Sequence, residues 1–158
     1  ICRRHFLSHP ASRIVFVVAL VSAVLAAPFS AFTQSGPPLA VSQSGAQIDP
    51  LDLLSFPDTE VGHTSNPIEF TVRNVGEADL TLPKERAVAL TDGETEMFVI
   101  TSQPGSTLAI HERARFSVAF KPTSIGEKSA TVTITSSDPD YPTFSFEVAG
   151  NGIVTPAH

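Results

Sequence analysis

From Ile48 onward, the sequence is a series of short segments in which apolar and polar residues alternate, separated by turn-forming residues. In "PIEFTVRN" (67–74), Ile68, Phe70 and Val72 are in phase, and the residues between them are polar or charged. This period of two is that of a β-strand with one buried face. Apart from the N-terminal segment, no stretch keeps a 3.6-residue period for more than about two turns. The sequence therefore predicts an all-β, immunoglobulin-like sandwich of about seven to nine strands.

The other predicted strands end at Gly, Pro, Asn or Asp residues, which favour turns. Three rows of in-phase apolar residues are predicted to form much of the core: Phe116/Val118/Phe120, Ala130/Val132/Ile134 and Phe144/Phe146/Val148. Thr91–Glu94 and Asn74–Glu77 are predicted turns. The predicted strands span residues 51–56, 67–74, 78–82, 86–90, 97–101, 114–122, 129–137 and 143–150.

The N-terminal segment has the arrangement of a secretory signal peptide: arginines, an apolar run over residues 14–27, then small residues. We expect a signal peptide over residues 1–31, with cleavage after Ala26 or Ala31, and an exported protein that is secreted, periplasmic or at the cell surface. The alternative is an uncleaved membrane anchor. Cys2, the only cysteine, precedes the apolar run. Cleavage would therefore remove every thiol, which excludes a disulfide scaffold and a cysteine nucleophile.

Amino-acid composition divides the rest of the chain into a linker, a domain and a short tail. Residues 32–47 are rich in Ser, Gln, Gly and Pro and are expected to form a flexible linker. The domain is expected over residues 48–154, with a short tail at 155–158. The formal charge of the whole chain is −6, and without three leader arginines it is 7 − 16 = −9. Because an acidic domain repels phosphate backbones, we expect no nucleic-acid partner.

Motifs for catalysis are not found in the sequence. It contains no G-x-S-x-G elbow, P-loop or His-Glu-x-x-His. Beyond the leader, the histidines are His63, His111 and His158, and the first two are predicted to lie in exposed turns. We therefore expect no enzymatic activity, no catalytic residue and no cofactor.

Asp138-Pro139-Asp140 has two interpretations. Calcium takes six to eight oxygen ligands, and Asp138 and Asp140 would supply carboxylates. The favoured interpretation is a turn between two strands, in which the Asp138 side chain caps the turn and Pro139 and Pro142 restrict the backbone.

A combination of short motifs resembles the ASPM/Hydin-type (ASH) immunoglobulin-like domain, whose bacterial forms are called choice-of-anchor D or HYDIN-VesB-like. Phe56-x4-Val61-Gly62 comes first. Phe70-Thr-Val-x-Asn74-x-Gly76 follows, and then Phe120-x-Pro122 with a Gly four residues later. The last motif leads from Thr-Ile-Thr-Ser-x-Asp-Pro to Gly150-x-Gly152. The resemblance covers residues 49–152. One departure is "AIHERARF" (109–116), where many members have a Gly-containing turn, so a different turn is expected there.

The resemblance implies a sandwich related to the major sperm protein fold, without catalytic residues. It implies an exported structural or protein-interaction module, in bacteria commonly part of surface or envelope proteins. The alternatives are an adhesion domain that binds carbohydrate or a cation, and an accessory domain of a larger exported enzyme or repeat protein. The partner is expected to be a protein bound at a sheet edge. Candidate surface residues are Thr131, Thr133, Thr135 and Tyr141, although solvated sheet faces are also commonly rich in threonine.

Overall fold

A computed structural model describes residues 38–156. The predicted signal peptide or anchor lies outside these residues. Within residues 38–156, no helix has the length and apolarity needed to cross a bilayer. One 3-10 helix, Thr95–Met97, accompanies twelve strands. The strands are β1 Leu39–Gln43, β2 Ala46–Ile48, β3 Leu53–Ser55, β4 Thr59–Glu60, β5 Ile68–Asn74, β6 Leu80–Thr81, β7 Val88–Gly93, β8 Phe98–Ser102, β9 Thr107–Leu108, β10 Arg113–Phe120, β11 Gly126–Thr135 and β12 Thr143–Ile153.

The strands form two main sheets. The first sheet has the order β2-β1-β5-β10-β8, and all its pairs are antiparallel. The second has the order β3-β12-β11-β7, with β4 also paired to β12. Strands β3 and β4 run parallel to β12, whereas β11 is antiparallel to both its neighbours. Strands β6 and β9 form a separate two-stranded sheet.

The core lies between the two main sheets and consists of the in-phase rows. Phe70 of the first sheet packs against Phe146 of the second, with ring centroids 5.2 Å apart. Phe70 also stacks on Phe116 at 5.0 Å. The predicted all-β, immunoglobulin-like sandwich is therefore confirmed. All members of the three predicted core rows are buried: Phe116, Val118, Phe120, Ala130, Val132, Ile134, Phe144, Phe146 and Val148.

The linker prediction for residues 32–47 is wrong over its C-terminal part. Strand β1 pairs with β5 from Leu39↔Asn74 to Gln43↔Phe70, and β2 folds back on β1 through a turn at Ser44-Gly45. Leu39 and Val41 alternate with polar or small residues and are buried in the core. The Ser- and Gln-rich composition reflects a half-exposed strand and hairpin at the edge of a sheet.

The structure has more strands than the seven to nine predicted. Seven of the twelve have five or more residues, and the others are two- or three-residue pairings. Thr91–Glu94 is not simply a turn, because β7 extends to Gly93 and Glu94 then leads into the 3-10 helix. Asp92 and Gly93 both have positive φ, and they form an irregularity of the β-bulge kind in the pairing of β7 with β11.

Asn74, at the end of β5, is fully buried and forms hydrogen bonds with every polar group it has. Its Nδ2 donates to the carbonyls of Ala78 (2.8 Å) and Leu108 (2.9 Å), and its Oδ1 accepts from the Gly76 amide (2.9 Å). Its backbone N–H donates to the Glu112 carbonyl, and its own carbonyl accepts from His111. Asn74 therefore joins the predicted turn at 74–77 to β9 and to the start of β10.

We expect Asn74→Ala to lower the free energy of unfolding by about 2–4 kcal/mol, because it leaves buried carbonyls and an amide without partners. Asn151→Ala is the matched control, since Asn151 makes one exposed side-chain bond, 3.3 Å long, to Asp58. That variant should cost no more than about 0.5 kcal/mol. Urea unfolding followed by circular dichroism measures both; equal losses would contradict the role given to Asn74.

Gly150 and Gly152, near the end of β12, lie where another part of the chain approaches closely. A Cβ on Gly150 would lie 2.7 Å from ring atoms of Phe120, and one on Gly152 would lie 2.3 Å from the Ser124 carbonyl oxygen. Real Cβ atoms do not approach other atoms this closely. The Gly-x-Gly motif therefore makes room for the Phe-x-Pro segment at 120–124.

We expect Gly150→Ala to destabilise the domain by about 1–3 kcal/mol, since the Phe120 ring has to move within a packed core. Gly105→Ala is the control, because its Cβ would meet nothing within 4 Å. That change should be neutral or slightly stabilising, by no more than about 0.5 kcal/mol. Thermal unfolding of the two variants tests this, and a destabilised Gly105→Ala would count against the steric explanation.

Candidate interaction surfaces

A groove of about 520 Å³ crosses the outer face of the second sheet. Its floor is formed by small or polar residues of β11 and β12, among them Ser129 and Ala149. Leu53 and Ser55 of the edge strand β3 form one wall, and Glu94 lies at the opposite side. We call this surface the β3 groove.

Two leucines at the β3 groove are exposed. Leu53 is 59% exposed, and Leu51, just before β3, is 86% exposed. A smaller depression is lined by Leu51, Thr131 and Glu147, and it shares Glu147 with the groove. Leu51 also has φ +75°, a left-handed conformation that costs a non-glycine residue about 1–2 kcal/mol. Its backbone is held there because its N–H donates to the Ser145 carbonyl (3.1 Å), and the neighbouring Asp52 carbonyl accepts from Glu147 (2.7 Å).

The β3 groove is acidic. Four carboxylates line it, against the single cation Lys128. Glu94 accepts a hydrogen bond from the Ser129 amide (3.1 Å), and Asp58 accepts one from Asn151 (3.3 Å). The groove therefore combines negative charge with exposed aliphatic side chains. The carboxylates belong to Asp58, Glu94, Glu127 and Glu147.

Sequence reasoning missed this surface, although "LDLLSF" contained a signal for it. In β3, Leu53 and Ser55 lie on one side of the strand, while Leu54 shares the opposite side with the buried Phe56. Leu51 precedes the strand, and its left-handed φ takes it out of this alternation. A strand with leucines on both sides has one apolar side left over after the core is filled. The carboxylates come from segments far apart in sequence, and no local pattern brings them together.

The Asp138-Pro139-Asp140 segment has the hydrogen bonds of the predicted turn. Asp138 Oδ1 accepts from the amides of Asp140 (2.9 Å) and Tyr141 (2.6 Å). Ser137, beside it, is tied to β6, since its N–H donates to the Thr81 carbonyl and its Oγ accepts from the Thr81 amide. No cluster of three or more His, Cys, Asp or Glu side chains suited to a metal ion is found within residues 38–156.

Thr131, Thr133 and Thr135 lie on the outer face of β11 and are half-buried. Strand β11 lies between β12 and β7, so these threonines are not at a free strand edge and lie on a solvated sheet face, which is the alternative interpretation given above. Thr133 Oγ1 shares hydrogen bonds with Thr91 (2.9 Å) on one side and Ser145 (3.1 Å) on the other. Tyr141 is exposed in the loop between β11 and β12.

The two histidines of the described domain lie in exposed turns, as predicted. His63 follows the Val61-Gly62 turn and contacts Glu60 at 3.7 Å. His111 lies in the turn before β10 and has φ +65°, a left-handed conformation. Glu112 closes this turn by accepting the Ala109 amide at 2.7 Å. Neither histidine lines the β3 groove.

The turn interpretation of Asp138 predicts that Asp138→Asn keeps the stability of the parent within about 0.5 kcal/mol, because the amide oxygen still accepts both N–H bonds. Asp138→Ala should lose about 1 kcal/mol. Thermal unfolding with and without millimolar calcium measures both variants. A calcium-dependent rise in the parent midpoint, lost in Asp138→Asn, would instead show a cation site.

The family model described as "HYDIN/CFA65/VesB-like, Ig-like domain" matches residues 46–151. No curated protein sequence matches the chain. Among solved structures, the ASH/PapD-like domain 7 of human CEP192 superposes with a TM-score of 0.52 at 18% identity, over 77% of this chain and 92% of that one.

Two longer proteins were also matched over part of their length. A protein of unknown function from Porphyromonas gingivalis W83 matches with a TM-score of 0.53 at 17% identity, over 72% of this chain and 46% of that chain. The Vibrio cholerae VesB protease matches with a TM-score of 0.48 at 15% identity, over 72% of this chain and 32% of that chain. The similarity thus spans less than half of either longer protein.

Proposed function

The chain belongs to the HYDIN/CFA65/VesB-like, Ig-like domain family, and we propose that it is a non-enzymatic, exported module that binds a protein partner at the edge of its second sheet. The observation that carries this proposal is the exposure of Leu51 and Leu53 beside the β3 groove. Exposed aliphatic side chains bordering a groove are typical of protein–protein contacts.

The geometry at β3 suits the addition of a partner strand. Strand β3 is the last strand of its sheet, so its outer edge has no neighbouring strand within residues 38–156. A segment that pairs there would gain main-chain hydrogen bonds, and its side chains would meet Leu51 and Leu53. The leucines would supply apolar area, and its burial on binding is favourable.

The charge of the β3 groove determines which kind of partner segment it attracts. Because Asp58, Glu127 and Glu147 line the groove, an approaching chain with lysine or arginine side chains is attracted and an acidic one is repelled. The proposed partner segment is extended and carries basic and apolar side chains on the same face, because alternate residues of a strand point to opposite faces.

Two observations support the non-enzymatic and exported parts of the proposal. The described histidines lie in exposed turns away from the groove, so the groove has no imidazole base. The N-terminal sequence has the basic start, apolar run and small residues of a signal peptide.

A second candidate function is that of an accessory domain in a larger exported protein. The match with the Porphyromonas gingivalis structure favours it, because this fold occupies 46% of that longer chain. In that case the β3 groove would contact a neighbouring domain of the same protein, again with a basic and apolar surface.

Leu51→Gly separates binding from stability. Glycine takes φ +75° without strain, and Leu51 buries little apolar area, so the free energy of unfolding should stay equal or rise by up to about 1 kcal/mol. Affinity for a short synthetic peptide of repeated Lys-Lys-Val-Val, which carries lysine and valine on each face when extended, should fall about fivefold or more. Isothermal titration measures the affinity, and thermal unfolding measures the stability.

Ile125→Ser is the matched control, since Ile125 is 62% exposed and lines neither the β3 groove nor the smaller depression that contains Leu51. It should leave peptide affinity unchanged. A peptide with glutamate in place of lysine should not bind the parent. Equal binding of the two peptides, or equal loss in the Leu51 and Ile125 variants, would contradict the proposed site.

A further inference from the structure

A second groove, of about 410 Å³, lies on the outer face of the first sheet. Strands β1, β5 and β10 contribute to it, and the β1–β2 hairpin forms one side. Its polar side chains are those of Ser42, Gln47, Thr71, Arg73 and Arg113. We call it the arginine groove.

Two arginines face each other in this groove. Arg73 of β5 and Arg113 of β10 are direct partners in the antiparallel ladder, which brings two like charges together. Like charges directly opposite each other on a sheet are destabilising. Within residues 38–156, neither guanidinium has a carboxylate within ion-pair distance, and Arg73 Nε is buried without a hydrogen-bond partner. A buried donor without a partner costs about 1–3 kcal/mol.

The neighbouring Arg115 has the acidic partner that Arg73 and Arg113 lack within the described part of the chain. Arg115 lies two residues after Arg113 on the same strand, and its guanidinium lies 3.5 Å from a carboxylate oxygen of Glu69. The outer face of this sheet therefore supplies an acidic partner to one arginine and leaves the other two without one.

The composition of the arginine groove suits an anion. None of the residues that line it is Asp or Glu, in a domain whose net charge without the leader is −9. The hydroxyls of Ser42 and Thr71 are further hydrogen-bond donors, and the Gln47 side-chain amide, which donates one bond to Asp49 at 3.3 Å, has a second N–H. The arginine groove is therefore lined by hydrogen-bond donors and cations, whereas the β3 groove is lined mainly by carboxylates.

We propose that the arginine groove binds an oxyanion, held between the guanidinium groups of Arg73 and Arg113. A planar guanidinium presents paired N–H donors that match the oxygens of a carboxylate or a phosphate. A bound oxyanion reduces the electrostatic repulsion between the two guanidinium groups. This site lies on a different sheet from the β3 groove and does not depend on the function proposed for that groove.

The test uses NMR titration of the 15N-labelled chain with inorganic phosphate and, separately, with acetate, at constant ionic strength. Saturable shifts of the Ser42 and Thr71 amides are expected with at least one of the two anions. Binding of phosphate alone or acetate alone identifies the chemical source, and binding of both shows a general oxyanion site. Absence of saturable shifts with both anions would overturn the proposal.

Arg73→Gln and Arg113→Gln should each weaken the affinity about tenfold or more, because each removes a charge-assisted pair of hydrogen bonds. Arg115→Gln is the matched control: it removes the same charge from the same face, but from a side chain already paired with Glu69. It should change the affinity less than about twofold. An equal loss in all three variants would show general electrostatic attraction and overturn the site.

Thermal unfolding supplies an independent readout. Without an anion, Arg113→Gln should unfold at the same temperature as the parent or higher, since it removes a like-charge pair. With saturating anion, the parent should become the more stable of the two, because a ligand of the native state stabilises it by mass action. A parent that is more stable by the same margin in both conditions would contradict the proposal and assign a structural role to Arg113.

Discussion

The side chain of Asn74 determines how β5 ends and what lies beside that end. Its amide donates to two carbonyls that are 30 residues apart in sequence, those of Ala78 and Leu108. Leucine would satisfy none of these groups, and aspartate would bring a carboxylate towards two carbonyl oxygens. The corner that Asn74 holds places β6 beside β9, and so brings Leu80 and Leu108 into the core. A single buried amide thus connects a local turn to the closure of the sandwich.

At the other end of the domain, close packing requires two glycines, which have no side chain. Gly150 and Gly152 allow β12 to lie against Phe120 and the Ser124 carbonyl, and the Phe120 ring packs in turn on Phe98 and Phe56. Phe120 also fixes the loop between β4 and β5. Its N–H donates to Ser65 Oγ, and its carbonyl accepts from the Ser65 amide. The Phe-x-Pro and Gly-x-Gly motifs, about 30 residues apart, are therefore two halves of one contact. The glycines of one motif are explained by the close approach of Phe120 and Ser124 in the other.

The period of two was enough to predict the sandwich and its core rows, because in a sheet the side of each residue follows from its position in the strand. It was not enough for residues 39–43, since half of β1 faces solvent and its composition resembles that of a linker. What makes this segment a strand is its pairing with β5, which is a long-range contact. The turn at Asp138 was predictable because its hydrogen bonds span three residues. The two grooves were not, because β3, β11 and β12, or β1, β5 and β10, meet only in the folded sheets.

The net charge of the domain does not show that the two grooves carry opposite charge. A charge of −9 without the leader describes an acidic surface on average, yet Arg73, Arg113 and Arg115 lie together on the first sheet and Asp58, Glu127 and Glu147 line a groove on the second. Stacked sheets are about 10 Å apart, and charges in physiological salt are screened over about 8 Å. Charges on the two outer faces therefore act largely independently. Each face attracts ligands according to its own side chains, so a domain that is acidic overall can present one surface for cations and another for anions.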